Sequence, residues 1–258
     1  MMYDRLFTFG CSFTQYRWMT WADILGCEAN EFYNFGASGS GNLQIFIKLI
    51  ECCKSYNLNG NDTVMIMWTN TAREDHFINN EWVNAGTIFN SVVYPDSFVK
   101  KFADEYFYLK RDLALIASAK SFLDNLKINY RFFLMLPLYM KSELHQNLPK
   151  LAINNKMLSI DNIIVDDDYS ELLKLYHNDI KDIPTTVFEI LNNSDWYSKK
   201  SRPILYHDRL GKVADLHPTP NEHLEYLKYV FPTLDLSNHT LSKIQESQNS
   251  LIFIDIDR

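Results

Sequence analysis

Leu6-Phe7-Thr8-Phe9-Gly10-Cys11-Ser12-Phe13-Thr14 is the stretch on which the fold turns. A short, mainly apolar run that stops at a glycine predicts a buried strand entering a tight turn. Ser12 then lies at the carboxyl end of that strand, on a turn leading towards a helix. Related units follow along the chain. Trp18, Trp21 and Leu25, at helical spacing, predict a helical segment. Phe32-Tyr33-Asn34-Phe35 predicts a second short strand, ending in the glycine-rich bend Gly36-Ala37-Ser38-Gly39-Ser40-Gly41. The next helix carries Leu43, Phe46, Ile47 and Ile50 on one face, and Thr63-Val64-Met65-Ile66-Met67-Trp68 predicts a third strand. That strand is almost wholly apolar, as befits one covered on both faces.

Further on, Leu115, Ile116, Ala119, Phe122, Leu123 and Leu126 form a helical stripe. Tyr130 to Leu136 predicts a fourth strand stopped by Pro137. Thr219-Pro220-Asn221-Glu222 has the order of a capping box with proline at the first helical position, so a last core helix runs from there to about Val230. Strands alternating with helices predict an α/β fold: a three-layer α/β/α sandwich around a mainly parallel, flavodoxin-like sheet. Such sheets place their sites at the carboxyl ends of their strands. Residues 1–232 are expected to form one domain with weakly patterned insertions at about 71–103 and 140–203. Residues 233–258 form a C-terminal extension whose end, 251–256, reads as a strand that either extends the parent sheet or pairs with another subunit.

Composition narrows the function classes. The 258 residues are 47% hydrophobic and 22% charged, which excludes a disordered, collagen-like or coiled-coil chain. A formal net charge of −7 argues against a broad nucleic-acid footprint. The four cysteines, Cys11, Cys27, Cys52 and Cys53, lack the spacing of a zinc or redox site and are expected to be reduced thiols, Cys53 on a buried helix face. No apolar run approaches a membrane span, and the start of the sequence lacks the pattern of a signal peptide, so a cytoplasmic protein is expected.

Four loops carry residue types suited to chemistry. Ser12 is either an exposed nucleophile beside its own backbone N–H or a helix cap. Asn34 to Gly39 can aim backbone N–H groups at developing negative charge, or is a plain flexible loop. The Asn70 amide in Trp68-Thr69-Asn70 is an oxyanion donor or a turn residue, and Arg73 either anchors a substrate carboxylate or pairs on the surface. Asp215-Leu216-His217-Pro218 places a base at neutral pH next to a carboxylate. Cys11 is the rival nucleophile but is expected to be a buried thiol. His207-Asp208 lacks a third metal ligand, and Asp166-Asp167-Asp168 lacks the pattern of a calcium loop.

Taken together, these segments resemble the four motif blocks of the SGNH (GDSL-like) hydrolase superfamily. Gly10-Cys11-Ser12 is similar to its Gly-Asp-Ser block, which puts Ser12 in the nucleophile's place. Asn34 to Gly39 is similar to the second block, with Gly39 as an oxyanion donor. Trp68-Thr69-Asn70 is similar to the third, with Asn70 as the oxyanion asparagine, and Asp215-Leu216-His217-Pro218 to the last, with His217 as base and Asp215 as its partner. Three positions depart from the pattern: Cys11 stands for the family's aspartate and Trp68 for a glycine. The family's acid position, three residues before the histidine, is Ala214, so the acid is Asp215, Asp208 or absent in a Ser–His dyad. The resemblance implies a serine esterase that needs no metal or cofactor and acts on a small-molecule or glycan ester, with O-deacetylation of a glycan preferred. An O-acyltransferase and a catalytically inactive carbohydrate-binding protein are the alternatives. Trp82, Tyr94, Phe98, Trp196 and Tyr197 either stack on sugar rings or form a satellite core.

Overall fold

The computed structural model describes residues 2–89, 93–138, 167–193, 201–207 and 211–255. In chain order these form β1 (Tyr3–Phe9), α1 (Trp21–Gly26), β2 (Ala29–Asn34), α2 (Asn42–Ser55), β3 (Asp62–Trp68), β4 (Arg73–Ile78), β5 (Glu81–Thr87), α3 (Asp96–Phe102), α4 (Glu105–Asn125) and β6 (Asn129–Leu134). Then follow α5 (Asp167–Leu175), α6 (His177–Ile180), α7 (Val187–Asn193), β7 (Ser201–His207), β8 (Gly211–Ala214), α8 (Pro220–Val230), α9 (Asn238–Asn249) and β9 (Phe253–Asp255).

The central sheet has the order β2-β1-β3-β6 with every pairing parallel, as the alternating strands and helices predict. Its side chains alternate between two cores. Leu6, Met65, Met67 and Phe133 enter one, and Phe7, Phe9, Val64, Ile66, Trp68, Phe132 and Leu134 enter the other. A strand buried on both faces must be apolar in both registers, which is why β3 reads as a continuous run. The first core is closed by Trp21, Ile24 and Leu25 of α1, Val187, Phe188 and Leu191 of α7, Tyr226 and Leu227 of α8, and Ile244 of α9. The second is closed by Ile45 and Leu49 of α2, Leu109, Leu113, Ile116 and Leu123 of α4, and Leu172 of α5.

Several expectations are corrected. The buried face of α2 carries Asn42, Gln44, Ile45, Leu49, Cys52 and Cys53, whereas Leu43, Phe46, Ile47 and Ile50 are only half-buried. The helix is turned so that Asn42 at its N-terminus meets Thr69 of the third loop, a demand that apolar periodicity does not register. Leu126 lies beyond the end of α4 and is 39% exposed. Trp18 precedes α1 in a loop, its indole N–H donating to the Pro218 carbonyl at 2.7 Å. Cys52 and Cys53 are both buried, and burial pushes their thiols up to about 12 and about 11. All four cysteines are free.

The expected insertions contain regular structure. β4 and β5 form an antiparallel hairpin whose turn residues Asn79 and Asn80 have φ of 53° and 65°, the sign that a tight two-residue hairpin requires. Tyr94 is buried in a satellite core with Ala72, Ala85, Ile88 and Tyr108, and Phe98 packs against it. The segment 167–193 supplies buried residues to both main cores. Asp166, Trp196, Tyr197 and Asp208 lie outside the described residues. The tail strand β9 pairs antiparallel with β7, giving a separate sheet β8-β7-β9 rather than extending the parent sheet. No helix among the described residues is long and apolar enough to cross a membrane.

Phe133 is fully buried with its ring edge-on to Trp21 at 5.1 Å, where a strand of the sheet meets α1. Phe133→Ala is expected to lower unfolding free energy by about 3–5 kcal/mol in urea denaturation, through lost transfer energy plus the cavity left behind.

Candidate active site

Parallel pairing aligns the strand ends. Thr8 pairs with Asn34, Phe9 with Ile66 and Trp68 with Leu134, so the loops after β1, β2 and β3 leave the sheet at one edge. The first of these carries Ser12. Its turn is closed by the N–H groups of Thr14 and Gln15, which donate to the Cys11 carbonyl at 2.9 and 3.1 Å. Gly10 is required here: a Cβ would lie 2.0 Å from Thr14 Oγ1 and 3.0 Å from the Met67 carbonyl oxygen. Cys11 is buried on the sheet side, its thiol 3.4 Å from Met135 Sδ; Ser12, expected to be exposed, is itself buried at 5% exposure because the His217 ring lies over its hydroxyl.

The second loop is tied to the first. The Ala37 N–H donates to the Gly10 carbonyl at 3.0 Å, and Asn34 Nδ2 donates to the Thr14 carbonyl at 2.9 Å. Gly39 has φ +82°, a left-handed conformation, and a Cβ there would come within 2.9 Å of Asn84 Cβ on β5. The hairpin also holds the start of α2. Asp75 accepts from the N–H groups of Gly41 at 2.6 Å and Gln44 at 2.9 Å, so its negative charge sits at the helix N-terminus. Arg73 lies close by, its Nη1 donating to the Ser40 carbonyl at 2.9 Å.

A buried polar network fixes the third loop. Asn42 of α2 accepts from the Thr69 N–H at 2.8 Å through Oδ1, and its Nδ2 donates to the Thr69 carbonyl at 3.1 Å and to Asp112 at 2.7 Å. Arg111 Nε donates to Asp112 at 2.8 Å, and its Nη2 donates to the carbonyls of Thr71 and Arg73 at 3.0 and 3.1 Å. Burial drives the Asp112 carboxyl up to about 7 against the opposing pull of Arg111 and Asn42. Asn70 Oδ1 accepts from the Ala72 N–H at 2.7 Å, which commits that oxygen and leaves the amide nitrogen as the donor end.

The fourth loop comes from the far end of the chain. His217 Nε2 is 2.9 Å from Ser12 Oγ, and His217 Nδ1 is 2.7 Å from Asp215 Oδ1. Asp215 Oδ1 also accepts from the His217 backbone N–H at 2.9 Å. The Tyr16 hydroxyl donates to Asp215 Oδ2 at 2.5 Å, and its ring stacks on the imidazole at 3.9 Å and 22°. Burial works to raise the Asp215 carboxyl, but the hydrogen bonds from His217 and Tyr16 outweigh it and hold its pKa below the usual value. Asp215 is 1% exposed and the His217 side chain 29%, so the imidazole forms the solvent-facing side of the cluster.

Arg202 of β7 braces this loop. Its guanidinium donates to the carbonyl of Asp215 at 3.2 Å and of His217 at 2.7 Å, and pairs with Glu222 at 3.0 Å. Glu222 also accepts from the Thr219 N–H at 2.8 Å, closing the capping box of α8. His223 is fully enclosed, and burial pushes its imidazole down to about 3, so it is neutral.

The structure therefore brings Ser12, His217 and Asp215 into one hydrogen-bonded line, with the loops of Gly39 and Asn70 leaving the same sheet edge. Tyr16, Asn42, Asp112, Arg111 and Arg202 were not singled out by sequence reasoning. Each acts on a residue remote in the chain, and only the capping box before α8 marked any of this scaffold. No group of three or more His, Cys, Asp or Glu among the described residues is arranged to hold a metal.

No protein-family model matches the sequence, and no curated protein sequence matches it. Among solved structures, the chain is similar to a lipolytic protein of the G-D-S-L family from Veillonella parvula, at 14% identity and a TM-score of 0.45, covering 89% of this chain and 99% of that one. It is also similar to a catalytic mutant of Axe2, an acetylxylan esterase from Geobacillus stearothermophilus, at 13% identity and a TM-score of 0.46, covering 91% and 97%. A GDSL-like lipase from Bacteroides thetaiotaomicron matches at 15% identity and a TM-score of 0.35, covering 88% and 86%.

Arg202→Met removes the cation that compensates the buried Glu222 carboxylate and releases two carbonyls of the histidine loop. The expected cost is on the order of 3 kcal/mol in chemical denaturation, with a larger effect than any single exposed ion pair such as Lys174–Glu171.

Proposed function

We propose that the protein is a serine ester hydrolase in which Ser12 is the nucleophile, His217 the base and Asp215 its partner. The observation that carries this reading is the unbroken line Ser12 Oγ, His217 Nε2, His217 Nδ1, Asp215 Oδ1, at 2.9 Å and 2.7 Å. With the Nδ1–H donating to Asp215, Nε2 is left as acceptor for the Ser12 hydroxyl. His217 takes the Ser12 proton as Oγ attacks an ester carbonyl. The carbonyl electron pair moves onto oxygen, where the N–H groups of Ser12 and Gly39 and the Asn70 amide receive it. The intermediate collapses, the C–O bond to the alcohol breaks and His217 returns the proton to the leaving oxygen. Water, deprotonated by His217, then releases the acid from Ser12. Asp215 holds the tautomer and balances the imidazolium in both half-reactions.

The preferred substrate is a small acyl ester, such as acetyl, on a carbohydrate. The hairpin supports this. Asp75 pairs with Asn84 and Phe77 with Trp82, so all four side chains lie on one face of β4–β5, two residues being about 7 Å of strand. Asp75 and Asn84 meet the glycine-rich loop, and beyond them Phe77 and Trp82 form an edge-to-face pair at 5.2 Å with Phe77 57% exposed. A sugar ring bearing the ester has a flat apolar surface to lie on at that distance.

Wild-type protein is expected to hydrolyse p-nitrophenyl acetate and to be labelled at Ser12 by a fluorophosphonate, with both properties lost in Ser12→Ala. Asn70→Ala is expected to retain labelling while turnover falls on the order of 100-fold. Equal inertness of wild type and Ser12→Ala would favour a binding protein built on the same fold.

Trp82→Ala separates substrate classes. It is expected to raise KM for an acetylated oligosaccharide about tenfold and to leave p-nitrophenyl acetate kinetics unchanged. An unchanged KM for both substrates excludes the hairpin as the sugar platform.

A further inference from the structure

The geometry points to Tyr16 as a positioning residue, whose hydroxyl and ring hold Asp215 and His217 in the pose that lets a carboxylate only two residues before the histidine serve it. This inference rests on the serine-hydrolase reading above.

The short spacing creates a specific difficulty. Asp215 Oδ1 turns back within one tight loop to accept from both the backbone N–H and Nδ1 of His217, at 2.9 and 2.7 Å. Oδ2 is thereby directed away from the histidine, in a residue that is 1% exposed. A buried carboxylate oxygen without a donor is costly and invites the side chain to rotate. The Tyr16 hydroxyl supplies that donor at 2.5 Å. Its phenol is half-buried, and burial first, then the bond to Asp215, pushes its pKa upward, so it remains a donor at all ordinary pH.

The ring has a second task. Stacked on the imidazole at 3.9 Å and 22°, it sets the plane in which Nε2 meets Ser12. Tyr16 itself stands in the loop just after the turn that carries Ser12, and Trp18, edge-on to Tyr16 at 4.7 Å, donates to the Pro218 carbonyl just past His217. The nucleophile loop thus holds the histidine loop at residues before and after His217, at Asp215 and at Pro218. A residue acting in this way alters the proton affinity of the Asp–His unit, whereas a plain packing residue alters only its persistence.

The charged and titratable groups around the imidazole are few. Asp215 lies on its own loop, and Tyr16 and Ser12 on the nucleophile loop. His223 of α8 is neutral through burial. Arg202 of β7, paired with Glu222 of α8, touches the His217 carbonyl rather than the ring. Arg17 is exposed beside Tyr16. Tyr16→Phe removes only the phenol hydroxyl, leaves the other groups as they are and keeps the stacked ring.

In Tyr16→Phe the Asp215 charge, no longer shared with the phenol, holds the imidazolium proton more firmly. The acid limb of the kcat/KM profile for p-nitrophenyl acetate is expected to move to higher pH, and kcat at neutral pH to fall about tenfold with KM unchanged. Tyr16→Leu, which also loses the stack, is expected to fall about 100-fold. A measurement independent of turnover is the low-field proton NMR signal of the His217 Nδ1–H, expected in wild type and displaced in Tyr16→Phe. A wild-type pH profile together with an unmoved signal in Tyr16→Phe overturns the proposal. So do equal losses in both variants with the acid limb in place, which would mark Tyr16 as packing alone. If wild type hydrolyses no ester and Ser12 resists labelling, the esterase reading fails, while the NMR comparison still decides what Tyr16 does to the Asp–His pair.

Discussion

Parallel pairing of β1 with β2 on one side and β3 on the other is the constraint from which the site follows. Its register brings the carboxyl ends of three strands to one edge, so three loops from the first 73 residues leave the sheet together. Parallel strands cannot be joined by tight hairpins, and the connections must cross the sheet. Those crossings carry α1, α2 and α4, which are among the helices that close the two cores, and both cores are needed because each strand presents apolar side chains to both faces. Burial of the sheet and convergence of the loops are one event.

The fourth loop is not delivered by the sheet. Asp215 and His217 follow β8, which belongs to the separate antiparallel sheet. They reach Ser12 because α8 packs into the first core while Arg202 and Glu222 hold the loop before it. A buried guanidinium has five donors to satisfy, and here two go to the carbonyls of the very loop that carries the base. The desolvation of such a pair is offset only while all partners stay in place, which makes the arrangement specific rather than merely stable. Asn42, Asp112 and Arg111 perform the corresponding task for the Asn70 loop.

Much of this was legible in residue order. The strand runs, the glycine after β1, the capping box before α8 and the residue types of the four loops all appear as local patterns, because each reflects a backbone requirement of its own neighbourhood. The orientation of α2 was not legible. Its apolar residues are spread around the helix, and the buried face includes Asn42, whose partners Thr69 and Asp112 lie elsewhere in the chain. The 167–193 segment falls in the stretch read as a weakly patterned insertion at about 140–203, yet its short helices bury Leu172, Phe188 and Leu191 in the two cores. Tyr16 carried no signal at all, since an aromatic residue in a loop has many ordinary explanations.

By itself, the sequence determined the parallel α/β plan, the order of its elements and the residue types stationed at each loop. These follow from short-range hydrophobic periodicity and turn chemistry, which need no knowledge of distant residues. Only the tertiary structure decided that the Asp215 carboxylate, two residues from His217, reaches Nδ1 while its other oxygen meets Tyr16. That outcome depends on angles and distances between loops nearly 200 residues apart, where a displacement of about 1 Å is enough to break a hydrogen bond, and no local pattern encodes such a distance.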